Sequence, residues 1–242
     1  MRRNTKRQAV LLGLAFFLVV TLARTAWTAR EEVRTQAKLL VSARWLRGMT
    51  VVVDAGHGGP DPGAVVGGTR EKDLVLQIAH KLKESLEQVG VKVVMTRSQD
   101  KDLGGSIREE LGRRVALIDE HNAQLFISIH ANKDGCYCWG AQTFYQRKGM
   151  PAGKELAIAI QTRLREMTPT TRVALPADYF VLRTSRVPAS MVEVGFLSSA
   201  QELERLKDPD YQRVLVTAIT IGMADFVRSS RPEGKAGGSI GR

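Results

Sequence analysis

Residues 49–59 read MTVVVDAGHGG, a β-branched run that passes into glycine and histidine. Three consecutive valines favour a buried strand, and the glycines behind them end it in a loop. The next segment has a different period. After Glu71, the residues Leu74, Ile78, Leu82 and Leu86 recur every four positions, with Val75, Ala79 and Val89 widening the stripe until Gly90 stops the helix. Residues 91–96 (VKVVMT) then predict a second strand. The alternation continues outward with a helix over 106–121, a strand over 124–130 (QLFISIH), a strand-like stretch over 141–146 and a helix over 153–167. A strand over 190–194 (SMVEV) and an amphipathic helix over 208–228, opened by Asp208-Pro209, complete the series. Strands separated by helices of about a dozen residues or more indicate an α/β fold. The expectation is a three-layer domain with a mostly parallel twisted sheet flanked by helices and no internal repeats.

The chain has 242 residues, 43% of them hydrophobic, which suits one ordinary catalytic core. Its formal charge of +11 would suggest a nucleic acid or an anionic surface as partner, but the charge is unevenly placed. Residues 1–47 carry ten Lys and Arg against Glu31 and Glu32, and residues 230–242 carry Arg231, Lys235 and Arg242 against Glu233. The body between is nearly neutral and lacks the footprint for a phosphate backbone, so nucleic acid is set aside as a partner.

Arg2, Arg3, Lys6 and Arg7 precede an apolar run from Ala9 to Ala23, the arrangement of an export signal. The run is shorter than the roughly 20 residues that span a bilayer comfortably. No clear small-x-small cleavage site follows, so an uncleaved anchor is preferred over a cleaved signal peptide. The positive-inside rule then puts everything after Trp27 in an extracytoplasmic position. The organisation read from the sequence is a signal anchor or signal peptide over 1–27 and a polar, helix-compatible stalk over 28–47. The catalytic domain occupies 48–228, and a disordered tail 229–242. Cys136 and Cys138, the only cysteines, could form a local disulfide, pair between chains or stay thiols.

In open α/β sheets, sites form at the carboxyl ends of strands. His57 follows the first strand, His130 ends the QLFISIH strand, and Glu193 lies within or at the end of SMVEV, while Glu71 begins the first helix and can point back beside His57. Two imidazoles, one carboxylate and an open fourth position make a zinc site suited to hydrolysis. The ligands are too far apart in sequence for a zinc finger or a helical His-Glu-x-x-His motif, so only a fold could assemble them.

The motifs VVVDAGHGGPDPGAVVGGTREKDLVLQIA at 51–79, VVMTRSQD at 93–100, ISIHAN at 127–132 and MVEVGFLSS at 191–199 stand in one order. In these the chain resembles the zinc-dependent N-acetylmuramoyl-L-alanine amidases of the amidase-3 type, from about Thr50 to Phe226. The resemblance implies Zn2+ held by His57, Glu71 and His130, with Glu193 as the catalytic glutamate. It also implies hydrolysis of the amide joining the lactyl group of muramic acid to L-alanine in peptidoglycan. Zinc would polarise the lactyl carbonyl and lower the pKa of its water, and Glu193 would take a proton and return it to the departing amine. The pattern's usual Phe-Leu-Ser-Asn reads Phe196-Leu197-Ser198-Ser199 here, a change in the loop after the strand. A short chain with one catalytic domain, no wall-binding repeats and the stretch Gly140 to Tyr145 is most similar to the germination-specific, spore-cortex amidases. That likeness leaves open a lipoprotein partner or a homodimer.

Other residues have plainer readings. His80 reads as solvated surface, and His121 as a helix-end imidazole favoured by the dipole. Asp54 either orients His57 or terminates the strand. Arg97, Arg113 and Arg114 match framework positions of the family and are expected to make structural ion pairs. Gly58, Gly59, Gly63, Gly67 and Gly68 lack the Walker lysine and the Rossmann spacing, and read as a tight, open loop beside the metal. Two rival functions remain: another zinc hydrolase of wall polymers, such as a peptidase or deacetylase, and a non-catalytic wall-binding protein on the same fold.

Overall fold

The computed structural model describes residues 2–134 and 138–231. The chain divides into two compact units, one up to Val41 and one from Ser42. The first consists of helix α1 (Arg2–Ala43) as far as Val41, along which Leu12, Phe16, Phe17 and Leu22 stand exposed. No helix among the described residues is long and apolar enough to cross a membrane.

The second unit is the α/β domain. A six-stranded sheet has the order β4-β1-β5-β8-β6-β7, from β1 (Thr50–Ala55), β4 (Lys92–Met95), β5 (Leu125–Asn132), β6 (Gln142–Gln146), β7 (Leu175–Ala177) and β8 (Ala189–Phe196). The pairs β1/β4, β1/β5 and β5/β8 are parallel. β6 runs antiparallel to β8, and β7 parallel to β6. Chain length explains the reversal. A parallel return needs a crossover of about a dozen residues or more, and only nine residues separate Asn132 from Gln142, with no helix among the described ones, so β6 comes back antiparallel. Between β6 and β7, helix α4 (Pro151–Met167) supplies the crossover, and that pair is parallel.

Helix α2 (Glu71–Gln88) buries Leu74, Ile78, Leu82 and Leu86, the four-residue stripe of the sequence. Helix α3 (Ile107–Glu120) begins with a capping box: Ser106 accepts from the Glu109 N–H, and Glu109 accepts from the Ser106 N–H. Its partner on that side of the sheet is the short α5 (Phe180–Thr184), and Ile118, Val181 and Leu182 close over Val52, Phe126 and Met191. The second flanking layer contains α2, α4 and α7 (Pro209–Ser230). α7 is capped by Asp208, whose carboxylate accepts from the Asp210 N–H, and reaches α2 through a Ser85–Thr220 hydroxyl bond of 3.1 Å.

Several features depart from the sequence reading. The helix of α7 continues through Ser229 and Ser230, whose hydroxyls both donate to the Phe226 carbonyl. Residues 232–242, the rest of the expected tail, lie outside the described residues. So does Cys136, while Cys138 is disulfide-bonded. Helix α6 (Ala200–Lys207), strand β7 and α5, of eight, three and five residues, are too short to announce themselves by a period. The glycine-rich loop contains a hairpin, β2 (Val65–Val66) against β3 (Thr69–Arg70). Gly67 and Gly68 turn it with φ of 54° and 78°, a conformation that needs no Cβ at either position. This hairpin delivers the chain to Glu71.

Candidate metal centre and its surroundings

The carbonyls just past the end of β1 have lost their ladder partners, and two buried arginines take them up. Arg97, 2% exposed, donates from Nε to the Ala55 carbonyl at 3.0 Å and from Nη2 to those of Gly56 and Lys72 at 2.8 Å. Arg114 donates to the Ala55 carbonyl at 2.8 Å and to that of His57 at 2.7 Å. Arg114 also pairs with Asp54 at 2.8 Å and with Glu110. The ion pairs expected of these arginines thus hold for Arg114. Arg97 and Arg113 bond backbone carbonyls instead, Arg113 those of Leu103 and Gly104. Asp54 does not touch His57; it accepts from Thr96, Ser128 and Arg114 beneath the loop. His57 itself adopts φ of 61°. A non-glycine residue there costs on the order of 1–3 kcal/mol and persists only when its surroundings over-determine it. The two guanidinium groups do so.

His57 is oriented by Asp61, whose Oδ2 lies 2.6 Å from Nδ1. The ionised carboxylate can only accept, so Nδ1 carries the proton and Nε2 turns inward. There it meets Glu71 Oε1 at 3.1 Å. Glu71 heads α2 and is 5% exposed. Its Oε2 accepts from the Ala64 N–H at 2.9 Å and its Oε1 from the Ala131 N–H at 3.0 Å, with His130 Nδ1 at 3.1 Å from the same oxygen. The close approach requires glycine at Gly63, where φ is 62° and a Cβ would stand 2.7 Å from both Glu71 Oε2 and His57. His130 lies one residue inside a bulge of β5, which runs on to Asn132. One ligand-competent atom from each of His57, Glu71 and His130 lies within 4.8 Å of the others.

This donor set fits a divalent cation. A carboxylate oxygen between two imidazoles and secured by backbone amides is the two-nitrogen, one-oxygen face of a hydrolytic zinc site. Its protonation pattern agrees. Burial alone would lower the His57 imidazole, but the hydrogen bond and charge of Glu71, reinforced by Asp61, push it up to about 9. Burial would raise the Glu71 carboxyl, yet hydrogen bonds from His130 and His57 hold it well below the usual range. A cation among these atoms would displace the proton.

Glu193 lies on β8 opposite His130 in register, so the two side chains leave the same face of the sheet. It is 7% exposed, and its Oε2 has no hydrogen-bond partner among the described residues. Burial, aided by the Glu71 charge and opposed by His130 and His57, pushes its carboxyl up to about 7. A carboxyl at that value can both take and return a proton near neutrality.

Residues 51–225 match the family model described as N-acetylmuramoyl-L-alanine amidase. The chain belongs to that family. The amidase is 39% identical over 237 residues to the germination-specific N-acetylmuramoyl-L-alanine amidase of Bacillus subtilis, covering 93% of this chain and 96% of that one. It is 30% identical over 176 residues to the sporulation-specific N-acetylmuramoyl-L-alanine amidase of the same organism, covering 72% and 66% of the two chains. Among solved structures, the CwlD amidase from Clostridioides difficile, in complex with the GerS lipoprotein, superposes with a TM-score of 0.72 at 35% identity. That likeness covers 76% of this amidase and all of the other chain.

His80 and His121 stand apart from the amidase's centre: the first bonds the Ser98 carbonyl at 3.1 Å, and the second caps the end of α3. Asp61 and the carbonyl-binding role of Arg97 are the functional features that the sequence reading missed. For Asp61 a signal existed, a carboxylate four residues after a metal-competent histidine in a glycine-rich loop. For Arg97 there was none, since strand-end carbonyls do not show in sequence.

Proposed function

We propose that His57, Glu71 and His130 hold Zn2+ and that Glu193 is the proton-transferring catalytic residue of an N-acetylmuramoyl-L-alanine amidase. The observation that carries this reading is the meeting of the three ligand-competent atoms beside the buried, unpartnered oxygen of Glu193. When bound, zinc supplies Lewis-acid polarisation of the lactyl carbonyl and lowers the pKa of a water from about 15.7 towards about 7. Glu71, pinned by two amides, and Asp61, holding His57, keep the donor atoms in place. Glu193 accepts a proton from the attacking water and gives it to the alanine nitrogen as the amide breaks. The products are the lactyl carboxylate and a free L-alanine N-terminus.

Peptidoglycan is the substrate implied by the family. The similarity to germination-specific and sporulation-specific amidases supports spore cortex as its source, where removal of stem peptides prepares muramic acid for lactam formation. The solved complex of a relative with a lipoprotein supports a lipoprotein partner here. The basic-then-apolar start of the chain supports an extracytoplasmic enzyme held at or exported through the membrane. The compact unit beginning at Ser42 supports drawing the catalytic domain back from residue 48 to that residue.

The test is Glu193→Gln. That variant should retain zinc at the wild-type level and lose turnover by about 10²–10⁴-fold, scored as new L-alanine N-termini released from cortex peptidoglycan. Wild-type hydrolysis by the variant would remove Glu193 from the reaction. A product other than N-terminal alanine would point to a peptidase or deacetylase.

A further inference from the structure

Beyond Glu193 the sheet continues into β6, and a cation from the segment before β7, Arg172, is immobilised against it with part of its bonding capacity unused. Gln142 pairs in register with Glu193 across the antiparallel strands, so both side chains leave the same face. Gln142 is buried; its Nε2 donates to the Val173 carbonyl at 2.9 Å, and its Oε1 accepts from Arg172 Nη1 at 2.9 Å. Two further contacts fix Arg172. Its Nε donates to the Trp139 carbonyl at 2.7 Å, and its guanidinium lies 4.4 Å from the centre of the Phe196 ring. Among the described residues, Nη2 has no acceptor and the guanidinium has no carboxylate partner. Glu193 is not that partner either, because the charges acting on it are those of His130, Glu71 and His57.

An exposed arginine ordinarily gains little from an ion pair, because ordering a long, mobile side chain offsets the attraction. Here the fold has already ordered it. The planar fork is held by two hydrogen bonds and one aromatic face, which leaves an edge for a carboxylate to engage with two parallel N–H groups. Preorganisation of this kind removes much of the entropic cost of binding.

We propose that Arg172 binds the carboxylate of the acidic residue that follows L-alanine in the stem peptide, and so selects substrates in which that carboxylate is free. The inference rests on the amidase activity and on Glu193 marking the alanine nitrogen. Neighbouring strands lie about 4.8 Å apart, so Gln142 stands one strand beyond Glu193 and Arg172, bonded to its side chain, lies just outside it; an extended peptide advances about 3.3–3.6 Å per residue, which brings the first residue after the alanine to that edge. In peptidoglycan that residue is a glutamate joined through its side-chain carboxyl, and its α-carboxylate is free unless amidated. Binding it would hold the departing amine against Glu193.

The experiment uses the full chain in detergent, loaded with zinc, and two disaccharide tetrapeptides that differ only in whether that α-carboxylate is free or amidated. Wild-type protein should favour the free acid by about tenfold or more in kcat/KM, expressed mainly in KM. In Arg172→Gln the ratio should fall to about one, and Arg172→Lys should restore part of it, since a point charge lacks the fork. The ratio is internal to each preparation, so a partly unfolded variant still gives it. A preference unchanged in Arg172→Gln, or a wild-type enzyme indifferent to amidation, overturns the assignment while leaving the amidase activity intact. Cleavage of neither compound at the lactyl–alanine bond would count against the activity itself and the subsite with it.

Discussion

Asp61 decides which nitrogen of His57 faces the centre, and its loss should be felt in metal binding before anything else. Asp61→Ala is expected to weaken zinc binding by about 10–100-fold in a chelator competition, with the apo protein's unfolding midpoint little changed. Glu193 makes a second prediction, on pH. Its carboxyl is pushed up to about 7 by burial, above its unfolded value, so between about 4.5 and 7 the folded state holds a proton that the unfolded state has released. The favourable contribution is fully present below about 4.5 and is lost as pH rises through about 7. In zinc-free protein, Glu193→Gln should therefore be more stable than wild type at pH 8, by about 3–4 kcal/mol, with the difference closing as pH falls towards 4.5. Urea titrations at the two pH values measure it; an equal gap at both would sink the assignment of that charge. His57, Glu71, His130 and Glu193 were legible because each sits in a short motif, at or near a strand end, at a helix start, or within the apolar strand SMVEV. Gln142 and Arg172 were not, because Arg172 lies thirty positions from Gln142 in sequence, and Gln142 comes beside Glu193 only through the antiparallel run of β6.

Among elements, those with a strong apolar period were legible to within a few residues. The valine run became β1, the four-residue stripe became α2, and Asp208-Pro209 became the start of α7. The hairpin β2/β3, β7, α5 and α6 were missed, since elements of two to eight residues are fixed by their partners more than by their own pattern. The direction of β6 was also invisible: residue pattern shows a strand, and only the length of its connection shows which way it runs. The capping box at α3 permits a test confined to one element. Ser106→Ala should cost about 1 kcal/mol and lower the melting temperature by about 2–4 °C, with zinc affinity unaltered. A change in zinc affinity would mean that the start of α3 is coupled through Arg114 to the His57 loop.

For the whole molecule, the place where the catalytic unit begins is a matter of packing. Ala43, the last residue of α1, and Leu46 are fully buried, and the turn Arg44–Leu46 packs on α7. A chain starting at Ser42 is expected to fold and to hydrolyse peptidoglycan. One starting at Gly48 should be less stable by about 2–5 kcal/mol, the usual cost of deleting a buried leucine, read as a shift in the denaturation midpoint. Equal midpoints would restore the boundary at residue 48. By itself, the sequence determined the α/β class, the order of the main elements, the family, and the residues of the candidate metal centre. These depend on local period and short motifs, which a chain carries whether folded or not. The tertiary structure decided the rest. It set the reversal of β6 and β7, gave the strand-end carbonyls to Arg97 and Arg114, oriented His57 through Asp61, and left Arg172 an open edge beyond Glu193. Each of these is a satisfied or unsatisfied bond between segments distant in sequence, and such bonds exist only once the sheet has brought its edges together.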